Sequence, residues 1–345
     1  MTVFAGFGSD NHSGVHPKII DALRKVNEGY VVAYGNDEYT VQAITQLKEI
    51  FGKNSEIFFM YNGTATNILG LRNVTDSFHS IFCAESAHLT VHECCGPENY
   101  LGAKLVTIPA ADGKLDVNRV EPYLIGVGDP HMAQPHVISI TQATERGTTY
   151  RPVEIRRLAD FAHHHGMLLQ MDGARLCNAA AFLKTGLFEV SGAAGVDVLS
   201  FGGTKNGMMY GEAVVFFDRV FAKNFEFIRK QGMQLASKMR YISAQFSAFF
   251  TDDLWLQNAS HANAMAQLLA EQLRSIPGIE ISEKVEANMV YAVIPNHCIT
   301  KLQKRYYFHR FNERTCEVRL MCSFNTQPQQ VLEFAAAIRN SVREK

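Results

Sequence analysis

A succession of short apolar runs, several of them unbroken by any polar residue, is the feature that most restricts how this chain can fold. Ile57-Phe58-Phe59-Met60 and Ala213-Val214-Val215-Phe216-Phe217 are continuous. Ser80–Cys83, Lys104–Ile108, His136–Ile140, Met167–Met171 and Val196–Ser200 are nearly so. A strand with one wet face alternates apolar with polar residues, so an unbroken run marks a strand covered on both sides. Helix-length amphipathic stretches separate the runs: Thr40 to Phe51, and Val153 to His165, where Leu158 and Phe161-Ala162 oppose Arg156-Arg157. Strand alternating with helix predicts an α/β fold with a mostly parallel sheet between two helical layers. A long helical stretch over Phe221–Phe250 is expected to lead out of it. The pattern then changes: a helix over Ser260–Ile276, runs at Ile279–Ile281 and Met289–Ile294, a helix near Cys298–Tyr306, a run at Glu317–Met321 and a last helix over Gln327–Arg343. This β-β-α-β-α ending predicts a smaller α+β domain. The expected division is a large domain over 18–245 and a small one formed by 1–17 with 246–345.

Charge excludes some functions. With 33 Lys and Arg against 34 Asp and Glu, the formal charge is −1 over 345 residues. A nucleic-acid surface needs a basic face that this balance does not supply. The seven Cys are odd in number and lack framework spacing, so reduced thiols in the cytoplasm are expected, with Cys94-Cys95 taken as packing. The N-terminus lacks the basic and apolar regions of a signal peptide, and no run approaches the ~18 apolar residues of a membrane span.

In an open α/β sheet, ligands bind at the carboxyl ends of the strands, so the residues just after each run matter most. After Met60 comes Tyr61-Asn62-Gly63-Thr64-Ala65-Thr66-Asn67 and then a helix. Gly63 permits a tight turn, and a helix start offers free N–H groups to an anion, commonly a phosphate. An ordinary capped turn would look the same. After Met171 comes Asp172-Gly173-Ala174-Arg175. A carboxylate at a buried strand end needs a partner. Arg175 could supply one in a purely structural pair, or Asp172 could grip a cationic ligand atom. After Ser200 comes Phe201-Gly202-Gly203-Thr204-Lys205-Asn206-Gly207. Burial there would depress the Lys205 pKa and make its amine a nucleophile. A surface-loop lysine is the plainer alternative. Taken together, an anion site, an Asp at one strand end and a Lys at the next are the parts that pyridoxal phosphate requires. They would serve as phosphate cradle, partner to the pyridinium nitrogen, and carrier amine.

The same residues, with Ser9-Asp10-Asn11, Gly14–Pro17, Tyr34–Asp37, His88, Glu93 and Val318-Arg319-Leu320, carry a resemblance over almost the whole chain. The sequence resembles the fold-type I pyridoxal-phosphate enzymes, and within them the L-threonine aldolases of the β-eliminating lyase group. The resemblance implies retro-aldol cleavage of threonine, allo-threonine and related β-hydroxy amino acids to glycine and an aldehyde. A β-eliminating amino-acid lyase of the same fold is the alternative. It implies that Lys205 is the Schiff-base lysine, that Asp172 is the pyridinium partner and that His88 stacks on the ring. Gly63 and Thr64 would be phosphate ligands with Thr204 adding a hydroxyl, and Arg175 would touch the cofactor as well as the substrate. Ser9, Arg175 and Arg319 would clamp the substrate carboxylate. Tyr34 would reach across a subunit interface, which implies a homodimer or homotetramer. No metal is expected, since nothing in the sequence places a third ligand beside His88 and His92.

One segment departs from the family pattern. Some members carry a second active-site His after the strand that corresponds to Val137–Ile140, but here the segment is Thr141-Gln142-Ala143-Thr144-Glu145-Arg146-Gly147. The general base and the choice between threonine and allo-threonine are therefore open. His88 is the first candidate for the base, directly or through water, with Glu93 and His92 behind it.

Overall fold

The computed structural model describes residues 5–344. Its strands, in chain order, are β1 (Ala5–Gly6), β2 (Glu56–Met60), β3 (His79–Ala84), β4 (Lys104–Ile108), β5 (Gln134–Thr141), β6 (Leu168–Gly173), β7 (Val198–Gly202), β8 (Glu212–Phe216), β9 (Glu280–Ile281), β10 (Met289–Val293), β11 (Tyr306–Tyr307), β12 (His309–Asn312) and β13 (Glu317–Met321). Strands β2 to β8 form one seven-stranded sheet in the order β2-β8-β7-β6-β5-β3-β4. Pairings across β4-β3-β5-β6-β7 are parallel, whereas β8 runs antiparallel to both of its neighbours. Each apolar run of the first two-thirds of the chain coincides with one of these strands to within two residues. β7 and β8 are buried along their whole length, as continuous apolar runs require.

Local chemistry sets the helices. The helix Glu38–Phe51 starts where Asp37 accepts the Thr40 N–H at 2.9 Å and ends at Gly52, whose φ of 100° favours glycine. The helix Pro152–His164 opens on a proline and buries Ile155, Leu158, Ala159 and Ala162, a spacing that keeps one helical face against the sheet. Each large side chain buried this way contributes roughly 1.5–3 kcal/mol.

The helical stretch expected over Phe221–Phe250 is not one helix. A turn at Arg219–Ala222, a helix over Phe225–Gln231 and another over Arg240–Phe250 replace it. The break falls at Gly232, where a Cβ would meet Leu69 Cδ1 at 2.3 Å, and at Met233, whose φ is 60°. The next helix begins earlier than expected, at Leu254, and runs to Arg274. Its first turns join the core of the large sheet through Leu254 and Ala259, and its later turns join a second core through Met265, Leu269 and Leu273. That second core also holds Phe7, Phe308 and Phe334. It is covered by an antiparallel sheet ordered β12-β13-β10-β9, beside a two-stranded pairing of β1 with β11. β11 and β12 were not expected, and both are too short to leave a clear period-two signal. Among the described residues no helix is long and apolar enough to cross a membrane.

Candidate active site

The parallel strands all end at one edge of the large sheet. The register places Thr141 beside Asp172 and Asp172 beside Ser200. Because β8 runs the other way, its first residue, Glu212, comes to the same edge, paired with Gly202 on one side and Met60 on the other. A cavity of about 420 Å³ opens there. Seven of the residues expected at the site line it together: Gly63, Thr64, His88, Asp172, Arg175, Thr204 and Lys205.

At one end lies the helix Gly63–Val74. Asn62 caps it by accepting the Ala65 N–H at 3.0 Å, and the Asn62 carbonyl accepts the Thr66 N–H at 3.2 Å. Gly63 and Thr64 precede these donors, so no helical carbonyl is available to their own N–H groups, and both face the cavity. A Cβ built on Gly63 would meet nothing within 4 Å, so a ligand can approach the backbone closely.

Deeper in the cavity, side chains are tied in a line. The buried Asp172 accepts the Ala174 N–H through Oδ1 at 2.9 Å and the Asn67 amide through Oδ2 at 2.9 Å. The same Asn67 amide donates to Glu93 Oε1 at 3.0 Å, and Glu93 Oε1 is 2.9 Å from His88 Nδ1. One amide thus holds two buried carboxylates apart and aligned. The ligating atoms of His88, Glu93 and Asp172 lie within 4.8 Å of one another. His92, by contrast, is exposed.

Lys205 sits in a single turn after β7, between Gly203 and Gly207, the latter at φ 104°. Burial lowers its pKa and the neighbouring Arg175 charge lowers it further, while Asp10, Asp172 and Glu212 pull it back only in part. Glu212 accepts the Gly203 N–H at 2.9 Å and a bond from the Thr204 hydroxyl, and burial pushes its carboxyl up to about 7. Glu145, also in the cavity wall, is raised by burial and by the charge of Asp172.

Other expected residues are placed differently. The reading of Arg175 as a structural partner to Asp172 is corrected: Arg175 makes a two-pronged pair with the buried Asp10, Nε to Oδ2 at 2.8 Å and Nη2 to Oδ1 at 3.0 Å. Burial alone would push the Asp10 carboxyl up, but Arg175, Lys205 and Asn288 hold it below its ordinary value. Ser9, Tyr34 and Arg319 do not line the cavity. The Ser9 hydroxyl accepts the Asn11 N–H at 3.1 Å, and Asn11 is the lining residue. Arg319 donates to the Gly8 carbonyl at 3.4 Å, and its buried Nε has no partner. Tyr34, in the left-handed region at φ 62°, is 48 % exposed and outside the cavity. Cys94 and Cys95 are exposed, not packed, on a left-handed turn.

Sequence reasoning missed the parts Asn67, Asp10, Glu145 and Glu212 play. Asn67 and Asp10 lie within the motifs at the strand end and the N-terminus, and Glu145 within the departing segment, but nothing in one dimension says which carboxylate an amide will bridge.

Three comparisons place the chain among known proteins. A family model described as Beta-eliminating lyase matches residues 6–295. A low specificity L-threonine aldolase of Pseudomonas sp. is 42 % identical over 335 residues, covering 96 % of each chain, and one of Pseudomonas aeruginosa matches to the same extent. The solved structure of a threonine aldolase from Leishmania major superposes with a TM-score of 0.92 at 27 % identity, covering 97 % of this chain and 99 % of that one. This chain belongs to the beta-eliminating lyase family, in the branch that holds these low-specificity L-threonine aldolases.

Proposed function

We propose that the protein is a pyridoxal-phosphate-dependent aldehyde-lyase that cleaves L-threonine, L-allo-threonine and related β-hydroxy-α-amino acids to glycine and an aldehyde. The observation that carries this reading is the line His88–Glu93–Asn67–Asp172, whose His88, Asn67 and Asp172 share with Lys205 one cavity that opens on a helix N-terminus. The residues fit the cofactor. The open cradle at Gly63 suits a phosphate, Asp172 is fixed as an acceptor for a protonated ring nitrogen, and the lowered pKa of Lys205 suits an amine that must be neutral to bond a carbonyl carbon. Gly63, Thr64 and Thr204 would hold the phosphate end, His88 would cover the ring and Lys205 would carry the group. When bound, pyridoxal phosphate supplies an electron sink next to the substrate's α-carbon.

The chain's own residues then orient the substrate. A guanidinium has five donors, and Asp10 takes two from Arg175, so the rest are free for a carboxylate. Arg319, with an unpartnered Nε, and Ser9 would complete the clamp. Fixing the carboxylate sets which bond at the α-carbon faces the sink, a contribution of orientation. The exposed Tyr30, Val31, Val32 and Tyr34 support a subunit contact that would bring a partner's surface to the site, in a homodimer or homotetramer. Seven free cysteines support a reducing, cytoplasmic setting.

The test is a visible spectrum of the purified protein, with glycine and acetaldehyde assayed after L-threonine is added. A yellow protein that forms both supports the reading. Keto acid with ammonia instead would move the chemistry to elimination. The Lys205→Ala variant should lose the yellow band; if the band persists, Lys205 is not the carrier.

A further inference from the structure

Three carboxylates line the cavity: Glu145, Asp172 and Glu212. Asp172 has both oxygens engaged, by Asn67 and by the Ala174 N–H. Glu212 is engaged by Gly203 and Thr204. Glu145 differs. Its Oε1 accepts the His88 backbone N–H at 2.7 Å and the Thr141 hydroxyl at 2.9 Å, whereas its buried Oε2 has no partner. An unpartnered carboxylate oxygen out of water is costly unless something in the working enzyme completes it.

The rest of the residue is clamped. The Tyr291 hydroxyl donates to the Glu145 carbonyl. The next residue, Arg146, is bonded to Glu283 at 2.8 Å and Glu317 at 3.3 Å and lies over the rings of Tyr291 and Phe311. One oxygen is thus fixed by the segment that carries His88, the backbone is fixed by the smaller sheet, and the other oxygen is free.

From this geometry we infer that Glu145 is a catalytic residue, the base that takes the β-hydroxyl proton during carbon–carbon cleavage. The inference rests on the aldolase reading above. In the cleavage direction, the substrate O–H bond breaks as a bond forms from that proton to Oε2. The O–H electron pair becomes the second C–O bond of the departing aldehyde. The Cα–Cβ bond breaks, and its electron pair stays on the glycine side, next to the electron sink that pyridoxal phosphate would supply there, until a proton from solvent bonds to Cα. The proton on Oε2 then leaves to solvent as the aldehyde does, so the cycle is balanced and needs no further reagent.

His88 is the less suited group. Its Nδ1 is committed to Glu93, and its role against the cofactor ring requires the imidazole to stay in place. Glu93 also keeps an unpartnered oxygen, but its side chain is fully buried and does not line the cavity. The environment strengthens Glu145 as a base, since burial and the nearby Asp172 both raise its affinity for a proton; beside His88 and Arg146, the titratable groups Cys83, Tyr150 and Tyr291 feel its charge.

The experiment uses the holoenzyme and two reactions. Cleavage of L-threonine needs a base for the β-hydroxyl. Exchange of the glycine α-proton with D2O, tracked by NMR, does not. Glu145→Gln should lower kcat for cleavage by ~10²–10⁴-fold. It should retain glycine exchange within a few-fold and bind pyridoxal phosphate, read from its absorbance, as the parent does. Cleavage within tenfold of the parent would overturn the proposal. So would a parallel loss of cleavage and exchange, which marks a residue that only holds the site in shape. If the Gln variant does not fold, Glu145→Ala with added formate replaces it. Partial recovery of cleavage by formate supports the assignment, and a folded, cofactor-loaded variant that formate does not rescue refutes it. A parent enzyme that exchanges glycine but releases none from any β-hydroxy amino acid would instead sink the aldolase reading itself.

Discussion

Replacing Asp10 by Asn tests the electrostatics that hold the cavity together. The pair Asp10–Arg175 links the N-terminal segment to the strand end at the cavity, and Asn288, the residue just before β10, adds a third bond to Asp10 at 3.1 Å. The Asp10 side chain is fully buried and that of Arg175 is 13 % exposed. Removing one member of such a pair leaves the other charge in a poor medium, at a cost of about 3–5 kcal/mol. Asp172 also lies near Arg175 and softens the loss, so the low end, ~3 kcal/mol, is the expected value. With a urea m-value of roughly 3 kcal/mol/M, the unfolding midpoint of the cofactor-free protein should fall by about 1 M at neutral pH. Acid should erase the difference. Asp10 has a folded pKa below its unfolded one, so its stabilisation is complete above the unfolded value, near 4, and is lost as pH falls through the folded value. The gap between parent and variant should therefore begin to narrow as pH falls below about 4 and close only below the folded value. Equal midpoints at pH 7, or a gap that widens in acid, would refute the assignment of a stabilising ion pair.

The site carries two further expectations. Asn67→Ala removes the amide that both Glu93 and Asp172 accept, leaving two buried carboxylates short of a donor at ~1–3 kcal/mol. Pyridoxal phosphate should then bind roughly 5- to 150-fold more weakly in an absorbance titration, and unchanged affinity would separate Asn67 from the cofactor. Glu212→Gln acts through pH. Because burial raises the Glu212 carboxyl to about 7 in the folded state, the parent loses stability as pH climbs from 4.5 to about 7. The variant should gain on the parent across that range in cofactor-free denaturation, and a constant difference from pH 4 to 8 would show that Glu212 is not perturbed.

The large sheet was legible because burial on both faces imposes continuous apolar runs, and such runs need no knowledge of their neighbours. Asp172 and Lys205 were legible for a related reason. Each sits at or just past the end of a run, and a charge in that position has few structural excuses. The residues assigned to a carboxylate clamp were harder. Ser9 and Arg319 were assigned by resemblance, yet the arginine bonded to a nearby acid is Arg175, and its partner is Asp10, 165 residues away in sequence. No local pattern states which of two acids a guanidinium will choose. The break at Gly232 was hidden because it depends on Leu69, a residue from another helix that leaves no room for a side chain.

Strand direction explains why Glu212 was not legible from strand ends. The residue just after an apolar run lies at the ligand edge only while every strand points the same way. β8 runs against its neighbours, so it presents its beginning where the others present their ends. The polar residue at the edge is therefore the one before the run Ala213–Phe217, not after it. Direction is not written in the run itself, since an apolar strand reads the same either way. It is set by the connection: only Gly203 to Gly211 separate β7 from β8, fewer than the dozen or so residues of the crossover that a parallel pair requires. The short link forces β8 antiparallel, and antiparallel pairing puts Glu212 opposite Gly202, next to the turn that bears Lys205. The carboxylate beside Lys205 is thus a consequence of loop length.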